Sequence, residues 1–502
     1  MAVDSNEAAY RKAQIEFVTN NHGTTARETL LMLMPSVCSL LLMLTTSCIL
    51  GKYLNRATRF ILEFLIVIVP TILCCTIYSD AKISVCLALL ALSCTNFMLM
   101  IIMANPTTIG NSQPSRVGTR HPFITNFRAL TNLLTAICIL AVDFKVFPRR
   151  HAKTEVYGYS LMDTGVGFFV IANALVSPEA RDSGDRRTSG FLTTASRNLH
   201  DCLRSCIPLL ILGSARYFSV EYLNYQKHVT EYGVHWNFFI TLAAVKILTS
   251  IVTSLITPNR SLLLGISILG MYEYLLSQKT VKKWVFGHSR EGFLNANREG
   301  IVSTLGYTGL YFIGVVVGRL IHSTYLRASR AQTGRSTYFN FTIFGRTFEA
   351  QYSESMILCV KLSLIAAQAC IATLFLNGYR RTSRKLANAG YCAWMVTLST
   401  VMLTLLLLID IIADIFKQVT SKNKNVTQVQ NQISSIPEIF EAINYNGLAF
   451  FLICNFLTGA VNMTVRTLYV PDIEAVQIIT AYMLASTGLF AVLFRFKIQI
   501  KL

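Results

Sequence analysis

Apolar runs of roughly 16 to 25 residues recur along this chain from near residue 28 almost to its C-terminus, with mostly short polar connections between them. A membrane-spanning helix needs about 20 such residues. About thirteen candidate spans follow, centred on Leu40, Val69, Leu92, Ala136, Phe169, Leu210, Ala244, Leu269, Phe312, Ile365, Leu405, Phe451 and Leu484. The longer connections are 105–123, 178–197, 219–236, 278–299, 324–352 and 417–437. No soluble domain fits between the spans, and no internal repeat of fixed period is visible. The pattern predicts an all-α polytopic membrane protein, with residues 1–502 as a single multi-span domain. Residues 1–27 form a polar leader and residues 417–437 a polar loop.

Composition supports that class. Of 502 residues, 53% are hydrophobic and only 14% charged, against about a quarter in soluble domains. The leader carries Asp4, Glu7 and Glu16, with Glu28 just beyond it, which makes a poor signal peptide, so the first apolar run is expected to be a retained helix. The 13 cysteines lie scattered without a C-x-x-C pair, as small packing residues do, and predict neither a metal site nor a disulfide framework. A formal net charge of +19 raises nucleic acid as a partner. The cations sit in short loops between apolar runs, however, so anionic headgroups or substrate phosphates are the expected partners and nucleic acid is not. Neither a Walker-type loop nor a G-x-S-x-G elbow appears.

Charge at the apolar boundaries changes the picture further. The junction LAVDFKVFPRRHAKTEVYGYSLMDTGVGFF brings Asp143, Arg149, Arg150, Lys153 and Asp163 to a membrane mouth, where lipid supplies no compensating hydrogen bonds. A solvated loop with snorkelling cations is the plain alternative. If loops alternate between sides, three other polar segments share that face. One holds His228, Glu231, His235, Trp236 and Asn237, the next Asn297, Arg298 and Glu299, and the last runs from Arg380 to Asn388. The two histidines bracketing Glu231 are a weak metal set, and interfacial histidines are the commoner case. Arg380 to Lys385 reads most simply as a headgroup-facing loop. Lysine and arginine counts are nearly balanced between the two sides, so the positive-inside rule decides little. Glu63, Lys246, Glu273, Lys361, Asp410 and Asp414 fall within spans, where they must pair across helices or line a wet cavity.

Several segments are specific enough to carry a resemblance. VDFKVFPRRHAKTEVYGYSLMDTGVG, YQKHVTEYGVHWNFFITL, NANREGI, SRKLANAGYCAW and NFLTGAVNMTV, in that order, resemble the glycosylphosphatidylinositol inositol acyltransferases, the PIG-W type family, over essentially the whole chain. The resemblance implies a multi-pass enzyme of the endoplasmic reticulum membrane with its polar segments on the luminal side. Its reaction would transfer a palmitoyl-type group from acyl-CoA to the inositol 2-hydroxyl of glucosaminyl-phosphatidylinositol. It also implies an essential acid and lysine, which fall on Asp143 and Lys153. Lys145 and His151 stand where relatives often have apolar residues.

Acyl transfer to a hydroxyl gains from a positioned base. Asp143 is the first candidate, with Lys153 stabilising the developing oxyanion; His228 and His235 are the rival bases. Arg149, Arg150 and Arg298 suit phosphate, and Asn237 and Asn297 are neutral donors. Asp163, Glu231, Trp236 and Glu299 complete the substrate-binding candidates. No serine or cysteine nucleophile stands out, so direct transfer is expected rather than an acyl-enzyme. The resemblance implies acyl-CoA as co-substrate, and neither a permanently bound cofactor nor a metal is expected. The apolar walls must hold two lipid-like substrates, for which the Phe168-Phe169 and Phe238-Phe239 pairs are slot candidates. A transporter or lipid flippase using its intramembrane acids is the alternative from another class, and a non-catalytic lipid-presenting subunit a third.

Overall fold

The computed structural model describes residues 9–10, 12–14, 16–17, 19–50, 53–103, 121–181, 191–222, 229–256, 258–287, 289–330, 338–343, 346–351, 354–420 and 435–500. His228 and most of the polar loop at 417–437 lie outside them. In chain order the helices are α1 (Ala26–Leu50), α2 (Arg56–Cys75), α3 (Lys82–Met103), α4 (Pro122–Ala141), α5 (Thr164–Leu175) and α6 (Phe191–Tyr222). Next come the short α7 (Val229–Tyr232), then α8 (Phe238–Leu255), α9 (Ser261–Ser277), α10 (Lys279–Val285), α11 (Gly292–Ala296) and α12 (Arg298–Arg330). The last are α13 (Glu354–Tyr379), α14 (Ala389–Thr420), α15 (Glu438–Tyr445), α16 (Gly447–Thr464) and α17 (Asp472–Arg495).

Ten of these are long and apolar enough to cross a membrane. The other three expected centres fall on helices that are not among the ten: Phe169 on the 12-residue α5, Leu269 on the 17-residue α9, and Leu210 on the 32-residue α6. One antiparallel hairpin, β1 (Tyr338–Ile343) with β2 (Arg346–Gln351), departs from the all-helical expectation. The aromatic and β-branched alternation of YFNFTI favours an extended strand.

The chain divides into two compact units. Unit 1 comprises residues 1–26, 150–323 and 366–399, and unit 2 residues 27–149, 324–365 and 400–502.

In unit 2, α15 packs on α17 and α4, and α16 on α4. Two carboxylates inside its spans accept hydrogen bonds from backbone N–H groups. Glu63, fully buried where α2 widens into a π-helical turn over Phe64–Ile68, accepts the N–H groups of Glu438 and Ile439 at 2.9 and 3.0 Å. Asp410 accepts the Phe123 N–H at 2.8 Å. Both carboxylates sit at the first turn of another helix, where amide donors lack intrahelical partners. Lys361 donates to Thr324 at 3.2 Å.

In unit 1, α8 lies along α6, and Phe169 on α5 meets Phe238 with ring centroids 5.4 Å apart. Between apolar helices in lipid, close backbone approach replaces the hydrophobic drive. The Gly314-x-x-x-Gly318 face of α12 uses this. A Cβ at Gly314 would come within 2.7 Å of the Ala174 Cβ, and one at Gly318 within 2.8 Å of the Ala180 Cβ. The leader joins this unit through an isolated antiparallel bridge between Thr24 and Tyr159, with the Glu155 N–H donating to Asn21 at 3.1 Å. Tyr272, Leu276, Val285, Val302 and Leu386 form a buried cluster, flanked by Tyr157, Val281 and Trp284. That cluster holds Tyr157 and the 380–388 loop against α9, α10 and α12.

Candidate functional site

Asp143 belongs to unit 2. It follows the C-terminal end of α4, where its N–H donates to the Leu140 carbonyl at 3.2 Å. Its Oδ2 accepts a 2.7 Å hydrogen bond from Asn462 Nδ2, near the end of α16. The Arg149 guanidinium donates to the Val142 carbonyl at 2.8 Å. Burial lowers the Arg149 pKa, and the negative charge of Asp143 opposes that shift. The exposed Lys145 ammonium lies 5.9 Å from the Tyr469 ring centre.

Unit 1 gathers the four polar segments that the alternation of loops places on one face, apart from the Asp143–Arg149 end of the first. Their centre is Arg384, which is only 4% exposed. Its Nε donates to Asp163 Oδ1 at 2.7 Å and its Nη1 to Glu231 Oε1 at 3.1 Å. Lys153 reaches Glu231 from the other side, with its Nζ at 3.0 and 3.1 Å from the two carboxylate oxygens. Thr154 Oγ1 donates to Asp163 Oδ2 at 2.7 Å, and the Tyr391 hydroxyl donates to the Asp163 carbonyl at 2.8 Å. A chain of alternating charge therefore runs Lys153, Glu231, Arg384, Asp163. Burial alone would raise the Glu231 pKa. The Lys153 ammonium and the Arg384 guanidinium outweigh that and hold it at about 2. Burial disfavours the Arg384 cation, but Glu231 and Asp163 hold its pKa well above the ordinary value.

The loop that delivers Arg384 is internally cross-linked. Asn388 Oδ1 accepts the Ser383 and Tyr391 N–H groups at 3.0 and 3.1 Å, and its Nδ2 donates to the Arg381 carbonyl at 3.0 Å. Ala387 adopts a left-handed φ of 48°, uncommon for a residue with a Cβ. A Cβ at Gly306 of α12 would strike the Ala387 carbonyl oxygen, so only glycine lets this loop lie flat on the helix. These contacts make Arg384 a fixture of the interior, which corrects the headgroup-facing reading for that residue. Arg380 is likewise tied inward, 3.0 Å from Glu273.

The remaining polar candidates organise the segment beside this network. Asn297 Oδ1 accepts the backbone N–H groups of His235 and Trp236 at 2.8 and 3.0 Å. Asn237 caps α8, its Oδ1 accepting from Phe239 and Ile240. Its Nδ2 donates to the Gly213 carbonyl at 2.8 Å. The Trp236 indole donates to Thr241 at 2.9 Å. Arg290 grips Glu299 with two bonds of 2.7 and 2.8 Å. The Arg298 guanidinium is spent on the carbonyls of Ser289 and Gly287. The His235 side chain is exposed, with its Nδ1 3.4 Å from Asn297 Nδ2. Among the described residues no group of three or more His, Cys, Asp or Glu is placed to hold a metal ion.

With this geometry in view, comparison with known proteins is decisive. A family model described as GWT1 matches residues 10–493. The chain belongs to the GWT1 family. The glucosaminyl-phosphatidylinositol-acyltransferase PIGW of Bos taurus is 31% identical to this GWT1-family chain, covering 95% of it and 96% of the relative. The GPI-anchored wall transfer protein 1 of Gibberella zeae is 32% identical over 99% of each chain. PIGW of Homo sapiens is 30% identical over 95% and 96%.

Two residues of this GWT1-family chain stand out that sequence reasoning did not single out. Arg384 lay within a basic run that looked solvated. Two acids in apolar and aromatic surroundings, Asp163 and Glu231, were the signal that a buried cation must exist. Asn462 lay in the quoted segment NFLTGAVNMTV, where its carboxamide at the end of an apolar run was the available clue.

Proposed function

We propose that this chain is an O-acyltransferase of glycosylphosphatidylinositol-anchor biosynthesis in the endoplasmic reticulum membrane. It transfers a palmitoyl-type group from acyl-CoA to the inositol 2-hydroxyl of glucosaminyl-phosphatidylinositol. The observation that carries this reading is full-length relationship to proteins named glucosaminyl-phosphatidylinositol-acyltransferase.

In the reaction, the inositol oxygen attacks the thioester carbonyl carbon as its proton passes to the Asp143 carboxylate. The carbonyl becomes a tetrahedral oxyanion, for which Lys153 is the stabilising cation that the family resemblance supplies. Collapse breaks the C–S bond, and the departing thiolate takes the proton from Asp143. An ester and free CoA thiol result, with Asp143 again ionised. Asn462 orients the Asp143 carboxylate through its 2.7 Å bond. Glu231 holds the Lys153 ammonium by contacts to both carboxylate oxygens. His228 and His235 are the rival bases.

The test is an assay of the purified full-length protein in lipid nanodiscs with palmitoyl-CoA and glucosaminyl-phosphatidylinositol. Thioester consumption that depends on the acceptor is the expected result. Asp143→Asn and Lys153→Ala should each abolish it while protein accumulates normally. A wild-type protein that consumes no thioester in the presence of acceptor overturns the reading.

A further inference from the structure

Four arginines of unit 1 are committed to partners within it. Arg298 serves loop carbonyls, Arg290 serves Glu299, Arg380 serves Glu273, and Arg384 serves Asp163 and Glu231. At the same end of the unit, α10 presents a different set of cations. Its sequence KTVKKWV places Val281, Trp284 and Val285 inward, against Tyr157 and Leu386. Lys279, Lys282 and Lys283 fall on the opposite face and are exposed, since residues three and four apart share a helix face. Arg381 is also exposed, one residue beyond Arg380. Arg380 ties the ends of α9 and α13 together through Ser277 at 3.0 Å. No carboxylate among the described residues pairs with any of these four cations.

In the turns that precede these cations in sequence, α9 and α13 leave apolar side chains uncovered. Met271 and Tyr274 on α9 are 67% and 65% exposed, and Leu374 and Phe375 on α13 are 72% and 78% exposed. Four cations without a carboxylate partner, following helices that leave apolar side chains uncovered, match an amphiphile with a polyanionic head and one acyl chain.

We propose that Lys279, Lys282, Lys283 and Arg381 form the docking surface for the CoA phosphates of the acyl-CoA donor, with its acyl chain laid on the α9–α13 strip. The proposal rests on the acyltransferase reading above for the identity of the donor. Chemistry favours the donor over the acceptor. CoA carries a diphosphate and a further phosphate monoester, whereas the single phosphodiester of glucosaminyl-phosphatidylinositol is offset by its own ammonium. Placement agrees, because α10 packs on Tyr157 and Leu386, from the loops that carry Lys153 and Arg384.

The experiment measures binding of a non-reactive thioether analogue of palmitoyl-CoA to the full-length protein in phosphatidylcholine nanodiscs. Comparison is with the K279Q/K282Q/K283Q variant and the charge-preserving K279R/K282R/K283R variant. Exposed ion pairs are individually weak and screened by salt, so the glutamine variant should bind roughly tenfold more weakly, most visibly at low salt. The arginine variant should bind like wild type. In acyl transfer, KM for palmitoyl-CoA should rise by a similar factor with kcat unchanged. Unchanged analogue affinity in the glutamine variant overturns the proposal. So does a defect seen only in discs containing phosphatidylserine, which would make this a face for anionic lipid. A wild type that binds the analogue but transfers nothing defeats the acyltransferase reading instead, so the two failures are distinguishable.

Discussion

Replacing Arg384 with methionine is the sharpest test of how unit 1 is held together. The substitution keeps much of the side-chain volume and removes the cation shared by Asp163, which is fully buried, and Glu231. Breaking a buried pair by deleting one partner typically costs about 3–5 kcal/mol, because the other charge stays desolvated and uncompensated. Glu231 retains Lys153, so the loss falls mainly on Asp163. For a unit of this size each kcal/mol moves the melting temperature by about 2–4 °C, which gives a drop of roughly 6–20 °C. Thermal melts of the purified protein in detergent read this directly. An orphaned buried carboxylate favours its protonated form, so the deficit should shrink as the pH falls from 7 toward 5. Adding Asp163→Leu to Arg384→Met should recover part of the loss, as replacing both partners by apolar groups removes the unpaired charge. A single variant that melts within about 2 °C of wild type would refute the argument that this cation ties the unit.

Three further outcomes follow from the same geometry. Asn462→Ala should lower kcat for acyl transfer by roughly 10- to 100-fold with little change in KM, since loss of one charge-assisted hydrogen bond is worth about 1.5–3 kcal/mol; steady-state kinetics in nanodiscs check this. Gly306→Ala should destabilise the protein by about 1–3 kcal/mol or more, the usual cost of overpacking, because the new Cβ meets the Ala387 carbonyl; melting measures it. Glu231 titrates at about 2 in the folded protein, below the ordinary 4.5. Its stabilising contribution is therefore complete above the unfolded value and lost as pH falls from about 4.5 through about 2, and Glu231→Gln should flatten that limb of the pH–stability curve.

Much of the architecture was legible because lipid imposes a length rule that soluble folds lack. Every predicted span centre lies on a helix, including the three on helices outside the ten. The sharing of one face by segments from 150–163, 231–237, 295–299 and 380–388 was likewise legible from loop alternation. The partners were not. Asp163 and Arg384 are separated by 221 positions, and nothing in a basic loop distinguishes a buried guanidinium from a hydrated one. Asn237 and Asn297 read as donors for reaction chemistry, yet an asparagine directly before an apolar helical run is also the signature of a helix cap. The structure uses Asn237 for that job. Arg298 shows the same ambiguity: a planar fork of donors suits phosphate and paired carbonyls alike, and here it closes a loop.

The bridge between Thr24 and Tyr159 bears on how this protein should be handled at the bench. Residues ahead of the first long helix look expendable, and trimming them is a common step when preparing membrane proteins for imaging. Here Gly23 and Gly158, both at positive φ, let two backbones close so tightly that the early residues serve as a clasp on the loop bearing Lys153. A shortened version lacking residues 19–25 would leave that loop unbuttoned, so affinity handles belong upstream of them with the native stretch kept intact.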